Sequence, residues 1–281
     1  MSGYFEMARA TYLENWPAEL LRLSFASTFL SLGDHEVDAL LGLCDAVQYG
    51  EKVTVNQPAL ERLAGRISSA AARYPFGVFV RLGSRSPKDA WLGYEAGFRC
   101  IGDLAGRRAL DLFAQSERIY EDLHLAKENH YRPVVVVREW KDIPAFEEWR
   151  VLVRGRRIIG ASQYDYHREY PPDAADLGSV RAAIDHYWGT ELRAALPLDD
   201  VVADLWVNRR TVSPPHRSGR SGPRVVRWTV KLVEINPFFD MTDPCLFAWR
   251  DIDQWSKAEP YEIRIVAGAN LATACSAPKL S

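Results

Sequence analysis

Residues 134–137 are four consecutive valines, and this run restricts the possible folds more than any other feature of the sequence. β-Branched side chains favour extended backbone, and a short, uninterrupted apolar run lacks the polar face of a surface strand. The run therefore predicts a strand that is buried on both faces. Segments with helical and with strand patterns alternate on either side of it, which places the chain in the α+β or α/β class.

Helical patterns dominate the first third of the chain and recur later. From Asp34, apolar residues follow one another at helical spacing, and Asn56 followed by Pro58 is typical of a second helix with the Asn side chain as its cap. The Ser-Pro-Lys-Asp segment at 86–89 predicts a third helix start, with Asp89 complementing the helix dipole. Further helices are predicted over 107–128 and 177–196.

Strand patterns fill much of the remaining sequence. Two of these segments flank a short Arg-Gly-Arg-Arg turn and predict a β-hairpin. The last two are rich in valine and lie on either side of a long polar segment. The predicted strands are 76–82, 149–153, 158–163, 201–207 and 225–235.

The composition excludes several classes of protein. The 281 residues include 35 Lys and Arg against 37 Asp and Glu, and a formal net charge of −2 argues against a uniformly basic nucleic-acid-binding protein. The four cysteines form no Cys-x-x-Cys pair, which argues against a structural zinc site and predicts reduced core thiols. No segment approaches the ~20 apolar residues of a membrane span, and the first residues do not resemble a signal peptide. We therefore expect a soluble, cytoplasmic protein.

Three oxygen-bearing side chains lie on the last two predicted strands. Asp204 lies among apolar neighbours, and Glu234 and Asn236 lie two residues apart, so their side chains share one face. Carboxylate and amide oxygens suit Mg²⁺, which proteins usually hold with one or two carboxylates and substrate phosphates. The alternative is that Asp204 and Glu234 are ordinary strand residues that face solvent.

The segment between these two strands, 208–224, has the composition of a loop and contains no acidic residue. We interpret it either as a mobile loop in solvent or as an arm that grips an anionic ligand or partner. Its arginines are Arg209, Arg210, Arg217, Arg220 and Arg224.

Several short motifs occur in the order found in one known family. The most specific is Val-Glu-Ile-Asn-Pro-Phe at 233–238, followed by Thr-Asp at 242–243 and Leu-Phe-Ala-Trp at 246–249. Together they resemble the signature of the cell division cycle protein 123 family, which belongs to the ATP-grasp superfamily; the resemblance covers roughly 76–255. The other motifs are Ser-Pro-Lys-Asp-Ala-Trp at 86–91, Arg-Glu-Trp at 138–140, Glu-Trp-Arg-Val-Leu-Val at 148–153, Gly-Ala-Ser-Gln-Tyr-Asp-Tyr at 160–166 and Val-Ala-Asp-Leu at 202–205.

The resemblance implies an α+β chain with the ATP-grasp fold, in which ATP and Mg²⁺ bind between two α+β lobes. Matching positions imply that Arg150 lies near the ribose and phosphates, and we predict it as the catalytic residue. Arg81 stands where the family usually has a phosphate-contacting lysine, which keeps the charge but changes the donor geometry. The implied metal ligands are Asp204, Glu234 and Asn236. The implied nucleotide-binding residues are Arg81, Lys88, Arg138, Glu139, Trp140, Glu148, Arg150 and Ser162.

The same resemblance suggests a domain organisation. A mostly helical region is expected to pack on the first lobe, and the second lobe is expected to contain the metal site and the arginine-rich segment. The predicted ranges are 1–75 for the helical region, 76–140 for the first lobe, 141–260 for the second lobe and 261–281 for a C-terminal tail.

Two functions fit this combination. One is an ATP-dependent ligase or phosphotransferase that acts on a peptide, protein or nucleic-acid acceptor, in which an anionic acceptor would meet the segment 208–224. The alternative is a non-catalytic, ATP-binding assembly chaperone resembling the factor that assembles eukaryotic translation initiation factor 2. A composition rich in Ala and Arg, typical of GC-rich bacteria, favours the enzyme. The lack of an evident base or nucleophile favours the chaperone, although phosphoryl transfer scarcely needs one.

Overall fold

The structure is a computed structural model that describes residues 2–171, 176–212, 225–267 and 270–274. It divides into two compact units, one formed by Met1–Trp16 with Phe25–Lys141 and the other by Pro17–Ser24 with Asp142–Ser281. Helices and strands occur in both units, so the fold belongs to the α+β class. The α-helices of the described residues are α1 Ser2–Arg9, α2 Ala18–Arg22, α3 Asp34–Gln48, α4 Gln57–Ala71, α5 Trp91–Ala96, α6 Ala105–Ala114, α7 Glu117–Glu128, α8 Leu177–Tyr187, α9 Arg193–Ala195 and α10 Ile252–Trp255.

The strands form one sheet in each unit. The first sheet has the order β1-β4-β2-β3 and the second has the order β10-β9-β6-β5-β7-β8. Neighbouring strands are antiparallel except for β6 and β9, which run parallel. The strands are β1 Ser27–Ser31, β2 Val78–Leu82, β3 Arg99–Cys100, β4 Val134–Glu139, β5 Glu148–Arg154, β6 Arg157–Gln163, β7 Val201–Val212, β8 Val225–Pro237, β9 Glu262–Ala267 and β10 Asn270–Ala274.

The valine run lies in β4, in the interior of the first sheet, and all four of its side chains are buried. The prediction of a strand buried on both faces is therefore confirmed. Val135 and Val137 join the core that the helices α3, α4, α6 and α7 form with this sheet. Val136 lies on the opposite face, because successive side chains of a strand alternate.

Several local predictions are also confirmed. The Asn56 side chain accepts a hydrogen bond from the backbone N–H of Ala59 at 3.2 Å and so caps α4. The predicted hairpin is β5 and β6, joined by Gly155 and Arg156, which have φ of 57° and 56°. Two successive positive φ values are typical of a turn whose twist matches that of the hairpin strands.

The predicted helix start at 86–89 is wrong. Helix α5 begins at Trp91, and Asp89 instead accepts hydrogen bonds from the Ser116 hydroxyl at 2.5 Å and the Arg118 N–H at 3.1 Å. Its carboxylate therefore complements the N-terminus of α7, a helix more than twenty residues further along the chain. The helix predicted over 107–128 is divided by Ser116, whose hydroxyl accepts a hydrogen bond from the Ile119 N–H and caps α7.

Other differences concern the second sheet. Strand β7 continues to Val212, so 208–212 is a strand rather than the start of the predicted loop. The remainder of that segment, 213–224, lies outside the described residues. The units also divide the chain differently from the predicted ranges: Pro17–Ser24 belongs to the second unit, and the predicted tail contributes β9 and β10 to its sheet. Ile263 and Ile265 of β9 are buried, which accounts for the pairing of this strand.

The predicted thiols can be assessed for three of the four cysteines. Cys44 and Cys100 are buried, Cys245 is partly buried, and all three are free thiols. Cys275 lies outside the described residues. Among the helices of the described ranges, we find none with the length and apolar character needed to cross a membrane.

Candidate functional site

A row of polar side chains crosses the centre of the second sheet. The row consists of one residue from each of five neighbouring strands, and each is directly paired with the next. Directly paired residues share one face of a sheet, so these side chains all lie on the same face. From β9 to β8 the members are Arg264, Ser162, Arg150, Asp204 and Glu234.

The centre of the row is a buried ion pair. Arg150 Nε donates to Asp204 Oδ1 and Arg150 Nη2 donates to Asp204 Oδ2, both at 2.8 Å. This is a bidentate contact between a guanidinium and a carboxylate. The side chains are 7% and 0% exposed. Burial by itself would lower the pKa of Arg150, but the adjacent Asp204 carboxylate outweighs it and holds the pKa well above the ordinary value. The Arg150 guanidinium therefore stays charged, and its contact with the Asp204 carboxylate compensates the burial of that charge.

Asn236 extends this arrangement on the neighbouring strand. Its Nδ2 donates to Asp204 Oδ2 at 3.2 Å. Asn236 is paired with Val202 and lies two residues beyond Glu234, so both side chains lie on the face that carries Asp204. The structure therefore brings together the three predicted metal ligands.

The chemistry of these donors fits Mg²⁺. Asp204 Oδ1 accepts from Arg150, and Asp204 Oδ2 accepts from Arg150 and Asn236, so these hydrogen bonds hold the carboxylate in one orientation. Glu234 supplies a second carboxylate, and a half-turn of the Asn236 amide would present its oxygen. Two carboxylates and an amide oxygen are hard donors of the kind that Mg²⁺ prefers, and phosphate oxygens and water would complete six-fold coordination.

Within the described ranges, no group of three or more His, Cys, Asp and Glu side chains is placed to hold a metal by itself.

The polar row also fixes the chain segment that follows β8. Arg150 Nη1 donates to the carbonyl oxygen of Asp243 at 2.6 Å. The Ser162 hydroxyl accepts from the Leu246 N–H at 3.2 Å, and Arg264 Nη1 donates to the Leu246 carbonyl at 3.0 Å. Three members of the row therefore hold 243–246 in place, and this is the observed role of the buried Ser162.

Contacts within and around this segment stabilise it further. The Asp243 carboxylate accepts from the Tyr166 hydroxyl at 2.9 Å and from the Cys245 N–H at 2.8 Å. The guanidinium of Arg150 lies 4.9 Å from the centre of the Tyr164 ring. Burial raises the pKa of the Cys245 thiol to about 12, so this thiol is protonated at neutral pH.

Five of the predicted nucleotide-binding residues belong to the first unit. Arg81 and Arg138 lie on the face of the first sheet that is opposite to the helices, and both are buried. Arg81 donates to the carbonyl oxygens of Leu82 at 2.9 Å and Ser84 at 3.0 Å. The guanidinium of Arg138 lies 4.8 Å from the centre of the Phe25 ring.

Glu139 and Trp140, two more of the predicted nucleotide-binding residues, follow Arg138 directly. The backbone N–H of Glu139 donates to the carbonyl oxygen of Ala26, and that of Trp140 donates to the carbonyl oxygen of Gly77. Both N–H groups therefore make hydrogen bonds within this unit. The Glu139 carboxylate accepts from Lys141 Nζ at 2.5 Å. The Trp140 ring remains partly exposed and packs at 6.4 Å from the ring of Phe79, which lies on the same sheet face as Arg81. Lys88 lies in the turn before α5.

Comparison with known proteins identifies the family. A model of the D123 family matches residues 44–281. The chain belongs to the D123 family. The resemblance stated from the motifs is thereby confirmed.

The relatives of this D123-family chain include two proteins of vertebrate and fungal origin. A translation initiation factor eIF2 assembly protein of Xenopus laevis is 23% identical over 222 residues, which cover 74% of this chain and 59% of that protein. Cell division cycle protein 123 of Eremothecium gossypii is 33% identical over 138 residues, which cover 47% of this chain and 33% of that protein. The chain thus spans no more than about three fifths of the length of these relatives.

A solved structure shares the fold of the D123-family chain. The structure of C-terminally truncated Cdc123 from Schizosaccharomyces pombe superposes with a TM-score of 0.69 and covers 93% of this chain and 97% of that one, at 19% identity. The likeness is one of fold and confirms the predicted α+β class.

Within the D123-family fold, the structure brings several predicted site residues together in the second unit. Glu148 lies two residues before Arg150 on β5, and its side chain therefore shares the face of the polar row. Sequence reasoning missed Arg264 and Asp243 as members of this site. Asp243 lies in the Thr-Asp motif at 242–243, and Arg264 lies in the alternating sequence of β9, within the predicted tail. The predicted residues joined in the second unit are Glu148, Arg150, Ser162, Asp204, Glu234 and Asn236.

Proposed function

We propose that this D123-family chain is an ATP-binding assembly factor that binds ATP together with Mg²⁺ and acts on a protein partner without modifying it covalently. The observation that carries the proposal is the direct pairing of Asp204 with Glu234, together with the hydrogen bond that Asn236 donates to Asp204. The name of the Xenopus laevis relative, a translation initiation factor eIF2 assembly protein, supports this reading over the ligase.

In this proposal Asp204, Glu234 and Asn236 hold Mg²⁺. When bound, the ion would neutralise charge on the β- and γ-phosphates of ATP. The role that we assign to Arg150 is to keep Asp204 charged and correctly oriented. Three of its five N–H groups are used by Asp204 and by the Asp243 carbonyl, which argues for positioning rather than for a direct catalytic step.

The first unit contributes a second set of groups to the proposal. Arg81 and Arg138 offer guanidinium groups suited to phosphate oxygens, and Trp140 offers an aromatic face suited to a purine. Arg81 and Arg138 lie on one face of the first sheet, and the Trp140 ring packs against Phe79 on that same face, which supports this assignment. A variant Arg138→Gln is expected to weaken ATP binding at least about tenfold, the usual scale for loss of a charge-assisted contact.

We propose that the protein partner is a subunit of translation initiation factor 2 or a protein related to one. The support is the name of the Xenopus laevis relative, an eIF2 assembly protein that matches 74% of this chain. Binding of the full chain to purified subunits of that factor tests this partner directly.

Calorimetric titration with ATP tests the nucleotide and metal assignment. The wild type is expected to bind ATP with Mg²⁺ and to lose most of its affinity when EDTA removes the metal. Glu234→Gln is expected to lower the Mg²⁺-dependent affinity about tenfold or more, because one charged metal ligand is lost. The matched control is Glu191→Gln, which changes an exposed carboxylate of the same unit and should bind like the wild type. Equal affinity of both variants would refute the metal assignment.

A second assay separates the assembly factor from the ligase. ADP, AMP and phosphate are followed during incubation with ATP, with and without the partner subunit. We expect complex formation with no stoichiometric ADP release. ADP that appears in proportion to a covalently modified partner would replace the assembly reading with the ligase, while leaving the nucleotide site intact.

A further inference from the structure

Strands β7 and β8 continue past the second sheet as a two-stranded ribbon. The last pair between β5 and β7 is Glu148 with Trp206, whereas β7 and β8 remain paired as far as Val212 and Val225. The ribbon therefore includes six successive pairs beyond the sheet. At about 3.4 Å per residue, it is roughly 20 Å long.

The ribbon is strongly basic. The paired segments 205–212 and 225–233 contain four Lys and Arg and no Asp or Glu. All four cations have exposed side chains: Arg209, Arg210 and Arg227 lie on the ribbon, and Lys231 lies at its base.

The neighbouring acids neutralise little of this charge. Hydrogen bonds from Ser179 are the main cause of the lowered pKa of the Asp176 carboxyl, and the charge of Arg209 lowers that pKa further. The Glu147 carboxylate, at the base of the ribbon, accepts from Trp206 and Asn208. No salt bridge within the described part of the chain involves Arg210 or Arg227.

The placement of the cations is unfavourable for folding alone. Arg210 and Arg227 are directly paired across the two strands, and like charges in that position destabilise a sheet. Arg209 and Trp228 form the adjacent pair, whose side chains lie on the opposite face. The ribbon thus carries cations on both faces and a partly exposed indole beside one of them.

We propose that this ribbon binds a single strand of nucleic acid. Each exposed arginine can bind two oxygens of one phosphate at once. An aromatic ring beside a positively charged surface is the usual site at which an unpaired base stacks. A flexible polyanion can contact both faces of a narrow ribbon at once, whereas a folded acidic domain presents one surface to one face. Because the whole chain has a negative net charge, a polyanion should prefer the basic ribbon to the rest of the surface.

Fluorescence anisotropy with labelled oligouridylate and oligothymidylate of about 20 nucleotides tests the proposal on the full chain. Both probes should bind, because phosphates and base faces are common to RNA and DNA. The triple variant Arg210→Gln, Arg227→Gln, Lys231→Gln should bind at least about tenfold more weakly at ~50 mM salt, and its salt slope should fall by about 2, since each lost phosphate contact contributes roughly 0.7.

Trp228→Leu separates stacking from charge. It should weaken binding about tenfold and leave the salt slope unchanged, because it removes a stacking surface and no cation.

The matched control is the triple variant Lys52→Gln, Arg62→Gln, Arg73→Gln, which removes three exposed cations from the first unit. It should bind both probes like the wild type. The proposal is overturned if the two triple variants bind equally, or if polyglutamate displaces the probes as well as unlabelled oligonucleotide does, which would indicate an acidic protein partner. ATP titration of the ribbon variants keeps this result distinct from the nucleotide site.

Discussion

The buried pair of Arg150 and Asp204 gives the most direct test of how this sheet is built. The variant Arg150→Met keeps an apolar stem of similar length but removes the guanidinium. Asp204, which is fully buried, would then keep only the hydrogen bond from Asn236 among the three described above. Breaking a buried pair by removing one partner costs about 3–5 kcal/mol, because the remaining charge is uncompensated. The same variant loses the bond to the Asp243 carbonyl, worth about 1 kcal/mol.

Urea unfolding followed by circular dichroism measures this loss as a change in the free energy of unfolding, and thermal unfolding should show a decrease in Tm of roughly 6–20 °C. The double variant Arg150→Met, Asp204→Leu should recover most of the loss, since apolar replacement of a buried ion pair is often close to neutral. The control Arg22→Met breaks the exposed pair with Glu19 and should leave the free energy of unfolding nearly unchanged, because solvent screens such a pair. A single-variant cost near that of Arg22→Met, or a double variant whose cost is the sum of the two singles, would refute the reasoning.

Three further predictions concern the first unit. Burial raises the pKa of the Glu14 carboxyl, so the charge on this group lowers the stability of the protein as the pH rises through that pKa. The variant Glu14→Gln removes the charge and should raise the free energy of unfolding by about 1 kcal/mol at pH 8. Urea unfolding at a series of pH values should show that this gain disappears in acid. A Cβ at Gly106 would lie 1.9 Å from the Ala64 carbonyl oxygen, so Gly106→Ala should separate α4 from α6 and lower stability by about 1–3 kcal/mol; an unchanged Tm would contradict this contact. Burial raises the pKa of the Cys44 and Cys100 thiols to about 12. Iodoacetamide at pH 8 should therefore leave both thiols unmodified in the native protein and alkylate both in urea, as measured by mass spectrometry. Alkylation of the native protein at the rate of an exposed thiol would contradict their burial.

The elements that the sequence predicted correctly are those whose causes are local. The valines of β4, the Asn56 cap of α4 and the hairpin of β5 and β6 depend on neighbouring residues, on propensity and on turn chemistry. The prediction at 86–89 failed although the motif was well formed. Its acid is used by the N-terminus of α7, which is distant in sequence, and a local pattern contains no information about that contact.

The candidate site shows the same division. The sequence by itself determined that Glu234 and Asn236 share a strand face, because the side-chain period of a strand is two. Only the tertiary structure decided that Arg150 and Asp204 are directly paired, that Arg264 of the supposed tail joins their row, and that β7 and β8 extend as a basic ribbon. Strand order and register arise from contacts between residues far apart in the chain, and those contacts depend on how whole faces bury one another rather than on any local pattern.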